Sequence, residues 1–318
     1  MGNRAALRRP AGPMRNLLLL TLVNFLWALQ FPTAKRASEE AGPMTVTMVS
    51  LLLSIAFLLP LARRERRTWP AAGRPGAGRA WAALALLGVM GSLVAQLFLN
   101  WGVERSLATN ASVIYLTTPV LMALLASAML GERMRGTRWA AFAISIGGVL
   151  LVSAGDLREA RLAETRYLVG NALVLLSCFG SAFCNVYSKR LLHWYGPAQL
   201  LVASFAFAAP VLLPAMLYYE PGAWQRLQRI SLVAWANIFS IAALSVSLAM
   251  VLFFRVLHRI DAMQAALSIY LMSVFGVLLA QAALNEKITP ALIAGGLLIC
   301  AGAYLIIVYE ERHRLHGS

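Results

Sequence analysis

The side chains in this sequence that could do chemistry are amides, hydroxyls and aromatic rings set inside apolar runs. Asn24, Trp27, Ala28, Phe31 and Lys35 follow one another at i, i+3, i+4, i+7 spacing and so share one helix face. Cys178, Ser181, Ala182, Asn185 and Lys189 repeat that pattern later in the chain. Between them come Gln96, Asn100 and Trp101, then the stretch NASVIYLTTP, where Ser112, Tyr115 and Thr118 or Pro119 fall on one side. Further on stand Ser245, Ser247 and Met250, and then Gln264, Ser268 and Tyr270. Gln264 and Ser268 share a face, whereas Tyr270 stands about 160° around the helix from Ser268. The three cannot line one wall, and Gln264 and Tyr270 remain candidates on chemistry alone.

Neutral groups of this kind bind a solute rather than transform it. Amides and hydroxyls hold a carboxylate and an ammonium weakly, so a net-neutral, partly apolar small molecule fits best. Seven of the tryptophans divide clearly by position. Trp69, Trp81, Trp139, Trp194, Trp224 and Trp235 stand near the ends of apolar runs, where an interfacial belt belongs, while Trp27 stands mid-run. Its indole face can stack on an apolar group or attract a cation. Tyr115 adds an apolar ring with a hydrogen-bonding tip. Pro119 removes a backbone hydrogen bond and predicts a kink, static or hinged. The expected substrate-binding set is therefore Asn24, Trp27, Gln96, Asn100, Tyr115, Thr118, Ser181, Asn185, Gln264 and Tyr270, with Pro119 as hinge. For Asn24 and Asn185 a role as glue between helices is the alternative.

Every Asp and Glu lies in a loop or at the end of a run, and so do His193, His258, His313 and His316. An ionisable group at membrane depth is the usual mark of a proton relay, and none is visible here. Facilitated exchange is therefore expected over carboxylate-based proton coupling. An enzyme would need a His/Asp/Glu or Ser/His set within the runs. Cys178, Cys184 and Cys300 lack disulfide or metal-ligand spacing, and no cofactor or metal is expected.

The elements that must position these groups are set by composition. The chain has 318 residues, 60% hydrophobic and 13% charged, against about 25% charged in an average soluble domain. Most of its surface must meet lipid. Crossing about 30 Å of hydrocarbon takes about 20 apolar residues in a helix. Ten runs qualify: 16–35, 44–62, 80–101, 107–130, 137–154, 167–189, 197–219, 231–255, 261–284 and 289–309. The net charge of +15 is scattered over short loops, which argues for membrane topology and against nucleic acid. The longest loop, 63–79, is rich in Arg, Gly and Pro and reads as a topology determinant. Lys and Arg number 19 on the side of the two termini and 9 on the other, so both termini are expected in the cytoplasm.

Laid against itself at an offset of 154, the chain repeats. Lys35 and Arg36 fall on Lys189 and Arg190, Gly42 and Pro43 on Gly196 and Pro197, and Pro60 on Pro214. Arg105 falls on Arg259, Ala108 on Ala262, Leu130 on Leu284, Glu132 on Glu286 and Gly148 on Gly302. Each unit holds five runs, an odd number, so the second unit starts from the opposite face. The expected fold is an all-α integral membrane protein: ten transmembrane helices as two inverted five-helix repeats. The expected divisions are a cytoplasmic segment 1–15, repeats 16–155 and 167–309, and a cytoplasmic tail 310–318. Inverted repeats around a midplane site are a secondary-transporter arrangement. A membrane receptor or scaffold gains nothing obvious from such a duplication. Glu132 and Glu286 are expected to cap the helices that follow them. Lys35, Arg36, Lys189 and Arg190 are expected at gate ends or as topology residues. Ala143, Gly147, Gly148, Ala291, Gly295, Gly296 and Gly302 permit close backbone approach, either within the molecule or in a homodimer through helices five and ten.

The stretches NFLWALQFPTAKRA (24–37) and LATNASVIYLTTPVLMALLASAMLGERM (107–134), with the weaker echo DAMQAALSIYLMSVFGVLLAQAALNEKI (261–288), resemble the EamA family of the drug/metabolite transporter superfamily. The resemblance covers about 16–309. Ser273 stands where the first half has Pro119, a departure that weakens any symmetric hinge. The resemblance implies a central cavity lined by helices 1, 3, 4, 6, 8 and 9. It also implies efflux of amino acids or similar small metabolites across the cell's inner membrane. A sugar- or nucleotide-conjugate exchanger of the same superfamily is the alternative, but it would need basic groups facing the cavity. The implied partners are a small-molecule substrate and the lipid bilayer.

Overall fold

The computed structural model describes residues 13–68, 76–130, 136–159, 165–258 and 262–316, and among them every regular element is a helix. Consecutive segments abut into long helices. α1 (13–41) joins Pro13–Ala28 to Gln30–Ala41, and α2 is Pro43–Thr68. α3 (77–105) joins Ala77–Gly88, a π-helical stretch Val89–Leu97 and Phe98–Arg105. α4 (108–130) joins Ala108–Ile114, a 3-10 turn Tyr115–Thr117 and Thr118–Leu130. α5 is Gly136–Glu159, α6 Thr165–Leu191 and α7 Pro197–Tyr219. α8 (232–257) joins Leu232–Ser240, a second π-helical stretch Ile241–Ala249 and Met250–Leu257. α9 is Ala262–Leu284 and α10 Pro290–His316. Each expected apolar run lies within one of these helices, give or take a residue. Glu132, Asp261, Trp69 and residues 69–75 of the Arg-rich loop lie outside the described residues, as does the side chain of Gln264.

Among the described residues, six stretches are long and apolar enough to cross a membrane: Pro43–Glu65, Gly78–Arg105, Ala108–Ala126, Arg166–Leu191, Pro197–Tyr219 and Leu232–Leu257. Trp139–Val152, Ser268–Leu284 and Pro290–Gly302 are shorter apolar helices. Two interruptions trace to proline. Pro32 cannot donate to the carbonyl four residues back, and α1 breaks at Leu29. Pro119 cannot donate to Tyr115, whose carbonyl instead accepts from the Thr118 N–H and so tightens α4 into its 3-10 turn.

Helices from the two halves of the chain meet in pairs. On α5 and α10, a Cβ on Gly148 would stand 2.6 Å from the Gly295 carbonyl oxygen and 3.0 Å from the Ile299 nitrogen. A Cβ on Gly302 would stand 2.6 Å from the Ala141 oxygen and 3.2 Å from the Ser145 nitrogen. As one helix ascends in number the other descends, so the pair is antiparallel. The offset of 154 carries Gly148 to Gly302, Ala141 to Gly295 and Ser145 to Ile299, and thus exchanges one set of contacts for the other. The small-residue stripes are therefore occupied by each other within one molecule, which leaves the homodimer through helices five and ten without support.

The α2–α7 pair is tied at both ends. Glu65, at the end of α2, accepts from the Ala198 (2.8 Å) and Gln199 (3.2 Å) N–H groups at the start of α7. Glu220, just past α7, accepts from Met44 N–H (2.8 Å), Thr45 N–H (2.9 Å) and the Thr45 hydroxyl (2.6 Å) at the start of α2. Here the repeated Gly-Pro acquires a physical reason. Proline at the first helical position has no N–H to leave unpaired. A Cβ on Gly42, whose φ is +91°, would lie 2.5 Å from Glu220 Oε2, and one on Gly196 would lie 2.4 Å from Glu65 Oε2. Glycine leaves the carboxylate its seat.

Glu286 corrects an expectation. It caps α4 rather than α10: it accepts from Ala108 N–H (3.0 Å), Thr109 N–H (2.8 Å) and the Thr109 hydroxyl (2.9 Å). Thr289 caps α10 instead, its Oγ1 accepting from Leu292 N–H at 3.1 Å. Lys35 completes the cluster, donating to Glu286 (2.9 Å) and to the Ser106 carbonyl (2.8 Å), while Arg36 donates to the Ala283 carbonyl. Glu40 likewise accepts from the Ser231 N–H and hydroxyl before α8, and those bonds hold its carboxyl below the usual carboxylate range.

Two outcomes follow for stability in detergent, read from thermal or denaturant unfolding. Gly148→Ala and Gly302→Ala should each cost roughly 1–3 kcal/mol, because backbone must move to admit the methyl. Gly147→Ala should be near neutral, since its new carbon meets only a Leu298 methyl at 3.6 Å. Equal costs at Gly147 and Gly148 would contradict the packing described. Glu286→Ala should cost about 3–5 kcal/mol, because it strands a partly buried ammonium and three donors. Lys35→Met should cost less, since the carboxylate keeps its α4 donors; the reverse order would refute the account.

Candidate substrate cavity

A cleft opens in the middle of the bundle. α1 contributes Trp27, Gln30 and Phe31; α3 contributes Gly91, Ala95, Gln96 and Leu99. α4 brings Tyr115 and Thr118, α6 Ser181, Cys184 and Asn185, α8 Met250, and α9 Ile269 and Met272. None of these side chains carries a formal charge. The local irregularities serve this wall. The π-helical stretch of α3 widens the turn that bears Gly91, Ala95 and Gln96, and the 3-10 turn of α4 begins with Tyr115.

The lining obeys the same offset as the sequence. Trp27 and Ser181, Gln30 and Cys184, Phe31 and Asn185, Gln96 and Met250, Tyr115 and Ile269, Thr118 and Met272 are pairs 154 residues apart, and both members of each pair line the cleft. The positions match but the chemistry does not. The first half supplies rings and long amides. The second supplies two thioethers, a thiol and an isoleucine beside Ser181 and Asn185.

Hydrogen bonds fix the polar groups. The Tyr115 hydroxyl meets Ser177 Oγ at 2.7 Å and Ser181 Oγ at 3.3 Å, and Ser177 donates to the Ala95 carbonyl at 2.7 Å. With that serine proton committed to Ala95, Tyr115 donates to Ser177 and can accept from Ser181. Phe31 sets its ring at a right-angled tilt of 75° to Tyr115, centroids 5.4 Å apart, and Trp27 lies 4.7 Å from Phe253. Gln30 Nε2 donates to Gln96 Oε1 at 2.7 Å and reaches Asn100 Oδ1 at 3.5 Å. Asn185 makes a weak contact to the Met122 sulfur at 3.9 Å, so much of its hydrogen-bonding capacity faces the cleft.

Of the residues expected from the sequence, Trp27, Gln96, Tyr115, Thr118, Ser181 and Asn185 come together on this cleft. Three others are placed elsewhere. Asn24 is buried between helices and donates to the Leu20 carbonyl (2.7 Å) and to Ser268 Oγ on α9 (3.1 Å). Asn100 is buried behind the wall and donates to Thr47 Oγ1 on α2 at 2.9 Å. Tyr270 packs against Val120, Ala123 and Ala141, on the far side of α9. Pro119 stands next to the lining residue Thr118. Lining residues absent from the expected set include Gln30, Cys184, Met250, Ile269 and Met272. The repeat itself could have found three of them, because adding 154 to Gln96, Tyr115 and Thr118 names Met250, Ile269 and Met272. Gln30 stands three residues after Trp27, a helical spacing obscured by the proline-induced break.

Comparison with known proteins finds the same duplication. The EamA-like transporter family matches twice, over residues 14–154 and 168–308, which are again 154 apart. An uncharacterized transporter of Archaeoglobus fulgidus is 26% identical over 298 residues, covering 93% of this chain and 98% of the relative. A protein of Streptantibioticus cattleyicolor named as a probable terminal-alkyne amino-acid exporter is 27% identical over 298 residues, 91% of each chain. A crystal structure with 19% identity superposes with a TM-score of 0.61 over 92% of this chain and 98% of its own, a likeness of fold. With both halves matched, this multi-pass membrane protein belongs to the EamA-like transporter family.

Proposed function

We propose that the protein is a secondary transporter that exports amino acids or similar small metabolites across the inner membrane by alternating access. The observation that carries the reading is the cleft lined by six pairs of equivalent residues, one member from each half. In this reading all ten long helices cross the bilayer. The repeats 16–155 and 167–309 are inverted relative to one another, and the segments 1–15 and 310–318 are cytoplasmic. The antiparallel α5–α10 pair, with contacts that exchange under the offset, supports inversion. Alternating access then needs the two halves to exchange conformations around the cleft.

The walls suggest how a zwitterion sits. Gln30, Gln96, Asn185 and the Tyr115–Ser181 hydroxyls offer donors and acceptors to its charged head. Met250, Ile269 and Met272 offer its side chain an apolar, adaptable surface. With no opposite charge in the wall, affinity is modest and selectivity rests on the side chain. The Streptantibioticus relative's name is consistent with an amino-acid cargo. The uncharged wall also favours facilitated exchange over proton coupling, because no lining carboxylate or imidazole can carry the proton.

Counterflow in proteoliposomes with a panel of amino acids, amines and sugars tests the reading. Trp27→Ala and Tyr115→Ala should each raise KM about tenfold, the equivalent of about 1.4 kcal/mol. If both match wild type on every accepted solute, the cleft is not the site. Met250→Gln with Met272→Thr gives the second wall the chemistry of the first and should lower the ratio of leucine to serine uptake; an unchanged ratio would refute the role given to that wall. For topology, tags placed in 160–164 and at residue 318 should label from opposite faces of the membrane, and labelling from one face would end the inverted arrangement.

A further inference from the structure

A second, more open cavity lies where α1 and α7 end and α2 begins. It is strongly polar, and most of its charges already have work. Glu40 binds Ser231, and Glu220 caps α2. Glu104 pairs with Arg166 at 2.9 Å and lies 3.6 Å from Arg105, which covers the Trp101 ring at 4.8 Å.

Three groups on its wall keep unused hydrogen-bonding capacity among the described residues, although Arg226 forms an ion pair with Glu220 and donates through Nη1 to the Pro221 carbonyl at 3.4 Å. Arg226 has Nε and Nη2 buried without a hydrogen-bond acceptor, and that edge is the fork that takes a carboxylate with two parallel bonds. Its nearest carboxylate oxygen, Glu220 Oε2, is 3.8 Å from Nη2, beyond a hydrogen bond. Glu39, exposed, makes no hydrogen bond or ion pair among the described residues. Ser38 is only 3% exposed, yet its hydroxyl has no partner and lines the same cavity. A buried polar atom without a partner carries a cost that a bound solute would relieve.

A row of hydrogen-bonded polar side chains runs between this cavity and the central cleft. From the cleft, Gln30 and Gln96 lead to Asn100, then to Thr47 on the first turn of α2, beside Met44 of the second cavity. On α3, Gln96, Asn100 and Glu104 follow at i, i+4, i+8 and so share one face from cleft to cavity.

We propose that this cavity is a second, peripheral binding station for the zwitterionic solute. Arg226 takes its carboxylate, Glu39 its ammonium, and Ser38 bonds to whichever head group lies nearer. The assignment rests on the amino-acid reading of the central cleft. It adds a place where the solute is held at the end of a polar seam between α1, α2 and α3.

The test uses the full-length protein in vesicles of phosphatidylglycerol, so that no lipid headgroup supplies an ammonium. L-leucine and L-methionine are the probes, each presented from one face and then from the other. Arg226→Gln and Glu39→Gln leave the caps Glu40 and Glu220 in place. Each should raise by about tenfold the ratio of KM from the face bearing Glu39 to KM from the opposite face. Competition with analogues isolates the contacts. 3-Methylbutylamine, which lacks a carboxylate, should inhibit Arg226→Gln and wild type alike, and N-acetylleucine, which lacks an ammonium, should do the same for Glu39→Gln. An unchanged KM ratio overturns the proposal, as does a loss of amine inhibition in Arg226→Gln, which would mark a structural role. If wild type carries the probes and only these variants are silent, the peripheral station falls and the central cleft stands. If wild type carries neither probe, the amino-acid reading fails and this assignment fails with it.

Discussion

Four glutamates hold the ends of helices to which they do not belong, and the architecture depends on those holds. The first N–H groups of a helix have no partner within it and must find one outside. Glu65 answers for α7, Glu220 for α2, Glu286 for α4 and Glu40 for the residue before α8. In every case the carboxylate comes from more than a hundred residues away in the chain. Each hold therefore fixes which helix end lies beside which. The acid also sits where the helix dipole favours negative charge. A chain with few charges uses several of them to fasten one half to the other.

Between those fastenings the bundle packs by shape. Glycines on α5 and α10 bring two backbones into contact, and the same stripe on each helix is the other's partner. The interior that results needs no charge to be stable. Its polar groups close on one another: Tyr115 on Ser177, Ser177 on Ala95, Gln30 on Gln96, Asn24 on Ser268. What stays open is the middle, where α3 widens into a π-helix and α4 tightens into a 3-10 turn. Both are irregularities of the kind that recur at functional sites.

Duplication explains the positions in the cleft, and divergence explains its chemistry. Equivalent residues of the two halves face the same space, but Gln96 stands opposite a methionine and Tyr115 opposite an isoleucine in the register of the repeat. A symmetric scaffold thus presents an asymmetric wall, one side rich in donors and rings, the other apolar and yielding. Such a division orients a molecule that has a polar head and an apolar tail.

The sequence by itself determined the apolar runs, their duplication at a fixed offset, and the lack of charge in the middle of any run. Those properties are local or periodic, and hydrocarbon imposes them whatever the packing. It also marked the stripe on α1 that carries Trp27. Only the tertiary structure decided what each stripe meets. Asn24 and Asn185 have similar settings on their own helices, yet one binds Ser268 and the other borders the cleft, because different neighbours lie against them. Glu286 precedes α10 in the chain but caps α4, since a carboxylate goes to the nearest unpaired N–H in space. The glycines of α5 promised close approach and left the partner open, and the partner proved to be α10. Spacing along one helix fixes which side chains stand together. It does not fix which distant helix they will face, because that depends on how all the apolar faces are covered at once.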